Sequence, residues 1–353
     1  NRGNSTFTGE SSSMGDFVGL DDLMTENPAV IQGFIDIYGG WIDNYGVDGF
    51  RIDTAKHVNP EFWQAFAPAM LDRAKKKGIP NFHIFGEYAT GDMDPLVTAP
   101  GTRVARLPAS LDFPFFAAVR DVAGGTKGPD WLVKMFSADP LYGDDVAKQL
   151  PTFTGNHDFG RFGYFAKKAF PGASDKELLK RSQLAHAMLL TLRGVPVIYS
   201  GDEQGFAGDG VDQDAREDMF PSKTAVYNDN DLIGTDKTTA DSNFDESHPL
   251  YKSVAELARL RQAKVALRRG TQIIRSYDEK PGLFAVSRID PATGQEIVIA
   301  FNTSNAPLKA NIAVDYKKND FTTLIGNCPA KTNAPGQLSV DLPPLGYIIC
   351  EAR

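Results

Sequence analysis

Three short apolar segments, each ending in an acidic residue, constrain the fold of this chain more than any other feature of its sequence. They cover residues 49–53, 82–87 and 151–158 and end in Asp53, Glu87 and Asp158. Stretches with apolar residues at helical spacing separate them. Short, buried-type strands that alternate with helices indicate a parallel α/β sheet. We therefore expect each acid to lie at the C-terminal end of a strand.

The first segment carries two charged residues on one face. Side chains alternate along a strand, so Arg51 and Asp53 point the same way. A guanidinium beside a carboxylate keeps that carboxylate ionised, as a nucleophile requires. Lys56 and His57 follow on the loop that leaves the strand. Taken alone, Arg51 and Asp53 favour a structural ion pair at the end of a strand, but the two further acids favour a functional site.

The same periodicity predicts the other elements of the first 268 residues. Strands of the parallel type are expected at about residues 49–53, 82–87, 107–113, 151–156 and 195–200, and helices at about 28–44, 60–77, 174–193 and 250–267. Ser174 with Glu177 three residues later forms a capping box, which indicates a helix start. Trp41 and Trp63 lie on helical faces, and we expect them in the core.

From about residue 269 the pattern changes. Segments there alternate or are rich in β-branched residues, and Gly, Pro, Asn and Asp separate them. This pattern is typical of an antiparallel β-sandwich, which we predict for residues 269–353.

Composition limits the possible partners. The chain has 353 residues, of which 42% are hydrophobic and 23% charged, and this suits a globular protein with a sizeable core and two domains. Its net charge of -8 argues against nucleic acid or an anionic membrane as a partner. A neutral polymer is compatible with that charge. No apolar run approaches the roughly 20 residues that span a bilayer.

Three motifs together carry a family resemblance. G-F-R-I-D-x-x-K-H at residues 49–57, G-E at 86–87 and N-H-D at 156–158 occur in this order. The set resembles the α-amylase family of glycoside hydrolases. The resemblance implies a (β/α)8 TIM barrel followed by an antiparallel β-sandwich domain. In that family these motifs lie on the fourth, fifth and seventh barrel strands, and the segment at 195–199 corresponds to the eighth.

The resemblance also implies a domain organisation. Residues 1–27 are expected to be the end of an inserted loop domain, 28–268 the C-terminal part of the catalytic barrel, and 269–353 the β-sandwich. Strands four to eight would then be present and the first three absent, as in the C-terminal two-thirds of a family member. Five strands do not close a barrel, so we expect either a fragment or a second polypeptide that supplies strands one to three.

By the same resemblance, the acids cleave a glycosidic bond. Asp53 is the expected nucleophile, Glu87 the general acid and then the general base, and Asp158 the third acid, which binds sugar hydroxyls beside His157. Apolar neighbours of Glu87 are expected to raise its pKa. The implied function is a retaining hydrolase of α-glucosidic bonds in starch-type glucans or maltooligosaccharides, acting through a covalent glycosyl-enzyme intermediate.

Other functions remain open on these motifs. A transglycosylase or a sugar isomerase on the same scaffold shares all of them, and a non-catalytic carbohydrate-binding relative is a further alternative. Lys56 and His57 resemble residues that contact the acceptor side of the sugar. Arg51 and His157 are the other expected substrate-binding residues. A solvated loop charge explains Lys56 nearly as well.

The resemblance implies a structural calcium ion. Asp22 falls where the family has a calcium-binding carboxylate, and the backbone carbonyl of His57 is a second expected ligand. Calcium takes six to eight oxygen ligands, and most of them would lie in the missing segment. An acidic turn without metal competes as an explanation for Asp22.

The only two cysteines, Cys328 and Cys350, match no metal-binding spacing. They form either two buried free thiols or a disulfide. A disulfide would imply an oxidising compartment, and we expect a secreted protein, extracellular or periplasmic.

Overall fold

The computed structural model describes residues 22–89, 91–143 and 145–353. These residues form two compact units. Unit 1 contains the described residues up to Pro114 together with Ala138–Pro151, and unit 2 contains Phe115–Ser137 and Thr152–Arg353. The helices are α1 (Pro28–Tyr45), α2 (Pro60–Lys76), α3 (Pro95–Thr98), α4 (Pro100–Arg103), α5 (Phe113–Ala123), α6 (Asp130–Ser137), α7 (Phe162–Ala169), α8 (Asp175–Thr191), α9 (Pro249–Ala263) and α10 (Val265–Arg269).

A three-stranded parallel sheet positions the first two predicted acids in unit 1. Its strands are β1 (Gly49–Ile52), β2 (His83–Gly86) and β3 (Ala109–Ser110), in that order. Arg51 of β1 lies opposite Phe85 of β2. A Cβ atom at Gly49 would lie 2.3 Å from the carbonyl oxygen of His83, so only glycine allows β1 and β2 to approach this closely.

Helices α1 and α2 pack with this sheet around one apolar cluster. Asn27 caps α1 by accepting a hydrogen bond from the amide of Ala29, and Pro28 occupies the first helical position. Trp63 of α2 is 4% exposed and belongs to the cluster, as predicted. The expectation for Trp41 is wrong: its side chain is 49% exposed in the described part of the chain, because it lies on the face of α1 that turns away from this cluster.

The longest helix of unit 2 begins where the sequence predicts. The hydroxyl of Ser174 accepts a hydrogen bond from the amide of Glu177 at 3.3 Å, so Ser174 is the N-cap of α8. The Glu177 carboxylate pairs with Arg181 at 2.7 Å and accepts a hydrogen bond from Asn305. These side-chain partners of Glu177 connect the first turn of α8 to the C-terminal part of the chain.

Two further short strands follow at the predicted places. β4 (Pro151–Phe153) and β5 (Val195–Val197) form a two-stranded sheet. All five segments predicted to be strands before residue 268 therefore contain a strand, and each strand is shorter than the predicted segment.

The last part of unit 2 is antiparallel. A five-stranded sheet has the order β10-β12-β8-β7-β6, and β9 and β11 form a separate two-stranded antiparallel sheet. The strands are β6 (Thr271–Tyr277), β7 (Leu283–Ile289), β8 (Glu296–Asn302), β9 (Leu308–Ala313), β10 (Phe321–Ile325), β11 (Gln337–Leu342) and β12 (Tyr347–Ala352).

Both faces of the five-stranded sheet are buried. Alternate residues of β7, such as Ala285, pack with β9 and β11 in one apolar cluster, and Phe284 and Val286 pack in another cluster with the helices of unit 2. Because alternate side chains of β7 are buried on opposite faces of the sheet, β7 is rich in apolar residues at successive positions. Cys328 and Cys350 form a disulfide with a Cα–Cα distance of 5.8 Å, which decides between the two alternatives left by the sequence.

None of the helices in the described ranges combines the length and the apolar character that a membrane crossing requires.

Candidate active site

Arg51 joins two of the predicted acids in unit 1. Its Nη1 atom contacts Oδ1 of Asp53, and its Nη2 atom donates a hydrogen bond to Oε2 of Glu87 at 3.0 Å. The register of the sheet explains this contact, because Arg51 pairs with Phe85, two residues before Glu87 on the neighbouring strand. Residues at the ends of adjacent parallel strands are brought together in this way.

The two carboxyl groups differ in their surroundings. The side chain of Asp53 is 64% exposed, whereas Glu87 is only 8% exposed. Burial raises the pKa of Glu87 above its usual value, and the hydrogen-bonded carboxyl of Asp53 raises it further, while Arg51 and the amide of Thr54 oppose the rise. The site therefore holds one solvent-accessible carboxylate beside one carboxyl that retains its proton more strongly.

Lys56 and His57 lie on a 3₁₀ turn (Ala55–His57) directly after Asp53. The amide of Lys56 donates to the carbonyl of Glu87 at 3.2 Å, and its ammonium group donates to the carbonyl of Ala89 at 3.3 Å. Lys56 thus links the chain after β1 to the chain after β2, which a simple solvated loop charge would not do. His57 is half-buried.

His157 and Asp158 lie in unit 2, on the turn that follows β4. The Asn156 side chain accepts hydrogen bonds from the amides of Asp158 and Phe159, at 3.0 and 2.7 Å, and so holds this turn. The Nε2 atom of His157 lies 3.2 Å from Oδ2 of Asp158. These contacts fix Asp158 on a tight turn with its carboxylate partly exposed.

Arg216 is a residue of this part of the chain that the sequence reasoning missed. Its Nη2 atom donates to Oδ1 of Asp158 at 3.0 Å, and its Nε atom donates to the carbonyl of His157 at 3.2 Å. It also contacts Asp212, four residues earlier. That Asp–Arg spacing was the only available signal, and it occurs within a polar loop between residues 201 and 248 that contains many other charges.

The structure therefore brings Arg51, Asp53 and Glu87 together in unit 1. In unit 2 it places His157 and Asp158 with Arg216, which was not predicted. Each of the three predicted acids has a basic partner within its own unit.

The predicted calcium ligands are Asp22 and the backbone carbonyl of His57. Across residues 22–89, 91–143 and 145–353 there is no group of three or more His, Cys, Asp or Glu side chains that could hold a metal ion. Asp22 is half-buried at the beginning of the described part. Calcium also binds backbone carbonyls and water, which this group of side chains does not include, so calcium at Asp22 and His57 stays a prediction.

Comparison with known proteins identifies relatives for the whole chain. The family described as alpha amylase, catalytic domain, matches residues 1–279. An alpha-amylase of Streptomyces lividans is 44% identical over 355 residues, covering 100% of this chain and 38% of that protein. A cyclomaltodextrin glucanotransferase of Bacillus sp. (strain 1-1) is 30% identical over 275 residues, covering 75% of this chain and 32% of that protein.

A solved structure shows the same fold. The alpha-amylase of Geobacillus thermoleovorans, complexed with acarbose, superimposes with a TM-score of 0.77 at 23% identity, covering 97% of this chain and 68% of that one. The chain thus spans 38% of the length of the Streptomyces enzyme. Nothing in these comparisons supports a separate polypeptide that supplies barrel strands. The fold of the relatives is a TIM barrel followed by an antiparallel sheet domain, and this chain, with residues 1–279 matched to the catalytic domain, belongs to the alpha-amylase family.

Proposed function

We propose that this chain carries the catalytic acids of a retaining glycoside hydrolase that cleaves α-glucosidic bonds in starch-type glucans or maltooligosaccharides. The observation that carries the proposal is the pair of unlike carboxyl groups around Arg51. Asp53 is exposed, and Glu87 is buried with a raised pKa. Two neighbouring carboxyls in different environments are the arrangement from which glycosidases obtain a nucleophile and an acid.

The contact between the carboxyls favours retention of configuration. Asp53 and Glu87 are hydrogen-bonded to one another. Inverting enzymes separate their carboxyls by about 6.5–9.5 Å to leave room for a water molecule, whereas retaining enzymes keep them about 5–5.5 Å apart. A hydrogen-bonded pair is therefore closer to the retaining arrangement.

The proposed reaction has two steps. Asp53 attacks the anomeric carbon while Glu87 gives its proton to the leaving oxygen, so that the glycosidic bond breaks and a glycosyl ester forms. Glu87, now ionised, then takes a proton from water as the water attacks the anomeric carbon, and Asp53 leaves. The second step restores both carboxyl groups.

The other predicted site residues have supporting roles in this proposal. Arg51 balances the negative charge of Asp53 while the nucleophile waits for substrate. By the family resemblance, His157 and Asp158 bind sugar hydroxyl groups, and Lys56 and His57 contact the acceptor side.

We further infer that β1 to β5 correspond to barrel strands four to eight. The order of the motifs on β1, β2 and the turn after β4 supports this numbering. The proposed domains remain 1–27 for the end of the inserted loop domain, 28–268 for the barrel part and 269–353 for the β-sandwich. Family members commonly bind structural calcium, and secretion is supported by the disulfide between Cys328 and Cys350.

One experiment tests the two acid assignments separately. The substitutions Asp53→Asn and Glu87→Gln are introduced separately into the protein at its natural length. Each is assayed with maltoheptaose and with α-maltosyl fluoride, whose leaving group needs no proton. Glu87→Gln should lower kcat/KM, which reports the first step only, about 10²–10⁴-fold on maltoheptaose and much less on the fluoride, while Asp53→Asn should abolish turnover of both.

Two outcomes would contradict the proposal. Equal losses of kcat/KM on the two substrates for Glu87→Gln would remove its role as an acid. Retention of most activity by Asp53→Asn would remove the nucleophile and favour a non-catalytic, carbohydrate-binding relative.

Transglycosylation is the second candidate function. The similarity to a cyclomaltodextrin glucanotransferase, at 30% identity, favours it. Product analysis with maltoheptaose separates the two activities. Shorter maltooligosaccharides alone indicate hydrolysis, whereas longer or cyclic products indicate transfer to a sugar.

A further inference from the structure

The side chain of Arg161 connects three segments of unit 2 through hydrogen bonds. It lies three residues after Asp158 and is fully buried. Its Nη1 atom donates to the carbonyl of Ser200 and to Oδ1 of Asp202, both at 2.9 Å, and its Nε atom donates to Oε2 of Glu217 at 2.8 Å. The guanidinium also lies over the ring of Tyr199, 4.1 Å from its centroid.

The segment 202–217 is therefore held at both ends by the same side chain. Between its two ends, this segment contacts the turn that carries Asp158. The amide of Asp212 donates to the carbonyl of Asp158 at 2.8 Å, and Arg216 donates to the carboxylate of Asp158 at 3.0 Å. Glu217, which Arg161 binds, is the residue next to Arg216.

The two ion pairs, Arg216–Asp158 and Arg161–Glu217, differ in burial and therefore in how strongly each constrains the segment. Arg216 and Asp158 are partly exposed, and an exposed ion pair contributes little to stability because water screens it. Arg161 and Glu217 have no exposed side-chain surface, and breaking a buried pair is strongly unfavourable because one charge is left without compensation. The buried pair is thus the stronger constraint on where Arg216 lies.

We propose that Arg161 and Glu217 are positioning residues for Asp158: by fixing the segment 202–217 they place Arg216 against the Asp158 carboxylate. This inference rests on the proposed function of Asp158. The residues act through Arg216 and need not touch the sugar themselves. The orientation of the third acid is then set by an ion pair in the interior of unit 2.

The test uses substitutions at Glu217, which leave Arg161 paired with Asp202. Glu217→Met removes the acceptor for Arg161, whereas Glu217→Gln keeps an acceptor oxygen. With the protein at its natural length and maltoheptaose as substrate, Glu217→Met should lower kcat about 10–100-fold with KM within about threefold of the parent. Glu217→Gln should restore kcat to within about threefold.

A double-mutant cycle separates positioning from general damage. With all four proteins of the cycle assayed on α-maltosyl fluoride, Glu217→Met should lower kcat in the parent but have no further effect in an Asp158→Asn background, because the group that it positions is already gone. The control is Glu177→Met, which breaks another arginine pair of unit 2, that of the buried Arg181 with the partly exposed Glu177. It should leave kcat unchanged in both backgrounds.

The outcomes distinguish the two proposals. If Asp158→Asn keeps most activity, the proposed function of Asp158 fails. If Asp158→Asn is impaired but Glu217→Met lowers kcat equally in both backgrounds, or not at all, the positioning inference fails alone. Should Glu217→Met not fold, Glu217→Asp keeps the charge while pulling the segment inward. Wild-type kcat in that folded variant would overturn the inference.

Discussion

The Arg51 guanidinium contacts both carboxyl groups of the unit 1 site, and its charge opposes the effect of burial on Glu87. Burial raises the pKa of Glu87, and Arg51 is the largest influence that lowers it. Replacing Arg51 by methionine should therefore raise the pKa of Glu87 further. The alkaline limb of the kcat/KM profile, where the proposed acid Glu87 loses its proton, should move to higher pH by about one unit.

Lys56→Met is the matched control for Arg51→Met. Lys56 donates to the carbonyl of Ala89, and it is not among the main influences on the pKa of Glu87. Its removal should leave the alkaline limb in place, whatever it does to KM. An alkaline limb that moves equally in both variants, or in neither, would contradict the assignment of that limb to Glu87.

Asp202 should couple the stability of the protein to pH. Its burial raises its pKa to about 6, from an ordinary value of 3.8, although Arg161 lowers it. The folded state then binds the Asp202 proton more tightly than the unfolded state does. Between about pH 4 and pH 6 this contribution to stability decreases as the pH rises, and it is lost above pH 6.

Asp202→Asn should remove that dependence. Measured by urea unfolding at pH 4.5, 5.5 and 7.5, the parent should lose stability relative to the variant as the pH rises, by on the order of 2 kcal/mol. Asp245 is the control, because Ser247 and Lys237 lower its pKa to about 2. Its stabilising effect is lost only near that pH, so Asp245→Asn should differ from the parent by a constant amount across the range.

At the scale of the element, α8 offers a clean test of a local rule. Ser174 caps the helix by accepting a hydrogen bond from the amide of Glu177. Ser174→Ala should lower the free energy of unfolding by about 1 kcal/mol, measured by urea titration. Ser174→Asp keeps an acceptor and adds a favourable charge at the helix N-terminus. Equal stabilities for the two variants would contradict a capping role.

Elements whose causes are local were predictable from the sequence. The caps Asn27–Pro28 and Ser174 depend on neighbouring residues only, and α1 and α8 begin there as expected. The sequence predicts the positions of the parallel strands but overestimates their lengths, because an apolar run does not show where pairing with a neighbouring strand stops. The wrong expectation for Trp41 has a related cause: helical spacing shows that residues share a face but not what covers that face.

At the scale of the whole molecule, the site was predictable only in part. Asp53, Glu87 and Asp158 are marked by local motifs, and so is the contact of Arg51 with Asp53, two residues away. Arg161 and Arg216 meet their partners across 41 to 58 residues of chain. A contact over such a separation leaves no periodic signal, so the arginines that hold Asp158 and its segment could be recognised only from the fold.

A single disulfide should contribute to the stability of the whole chain. Its only two cysteines form the Cys328–Cys350 disulfide, which closes a loop with a sequence separation of 22. Closing such a loop restricts the unfolded chain and should stabilise the protein by about 3 kcal/mol. The double variant Cys328→Ala/Cys350→Ala should unfold at correspondingly lower urea concentration. The denatured parent should show no free thiol until it is reduced.

Reduction provides the control, because it should destabilise the parent and leave the double variant unchanged. Cys350 is fully buried, so the reductant reaches the bond through the partly exposed Cys328 or through opening of the sheet. Two free thiols in the unreduced parent would show that the bond does not form in its natural compartment. Secretion would then lose its support, since the disulfide is the feature of this chain that favours an oxidising environment.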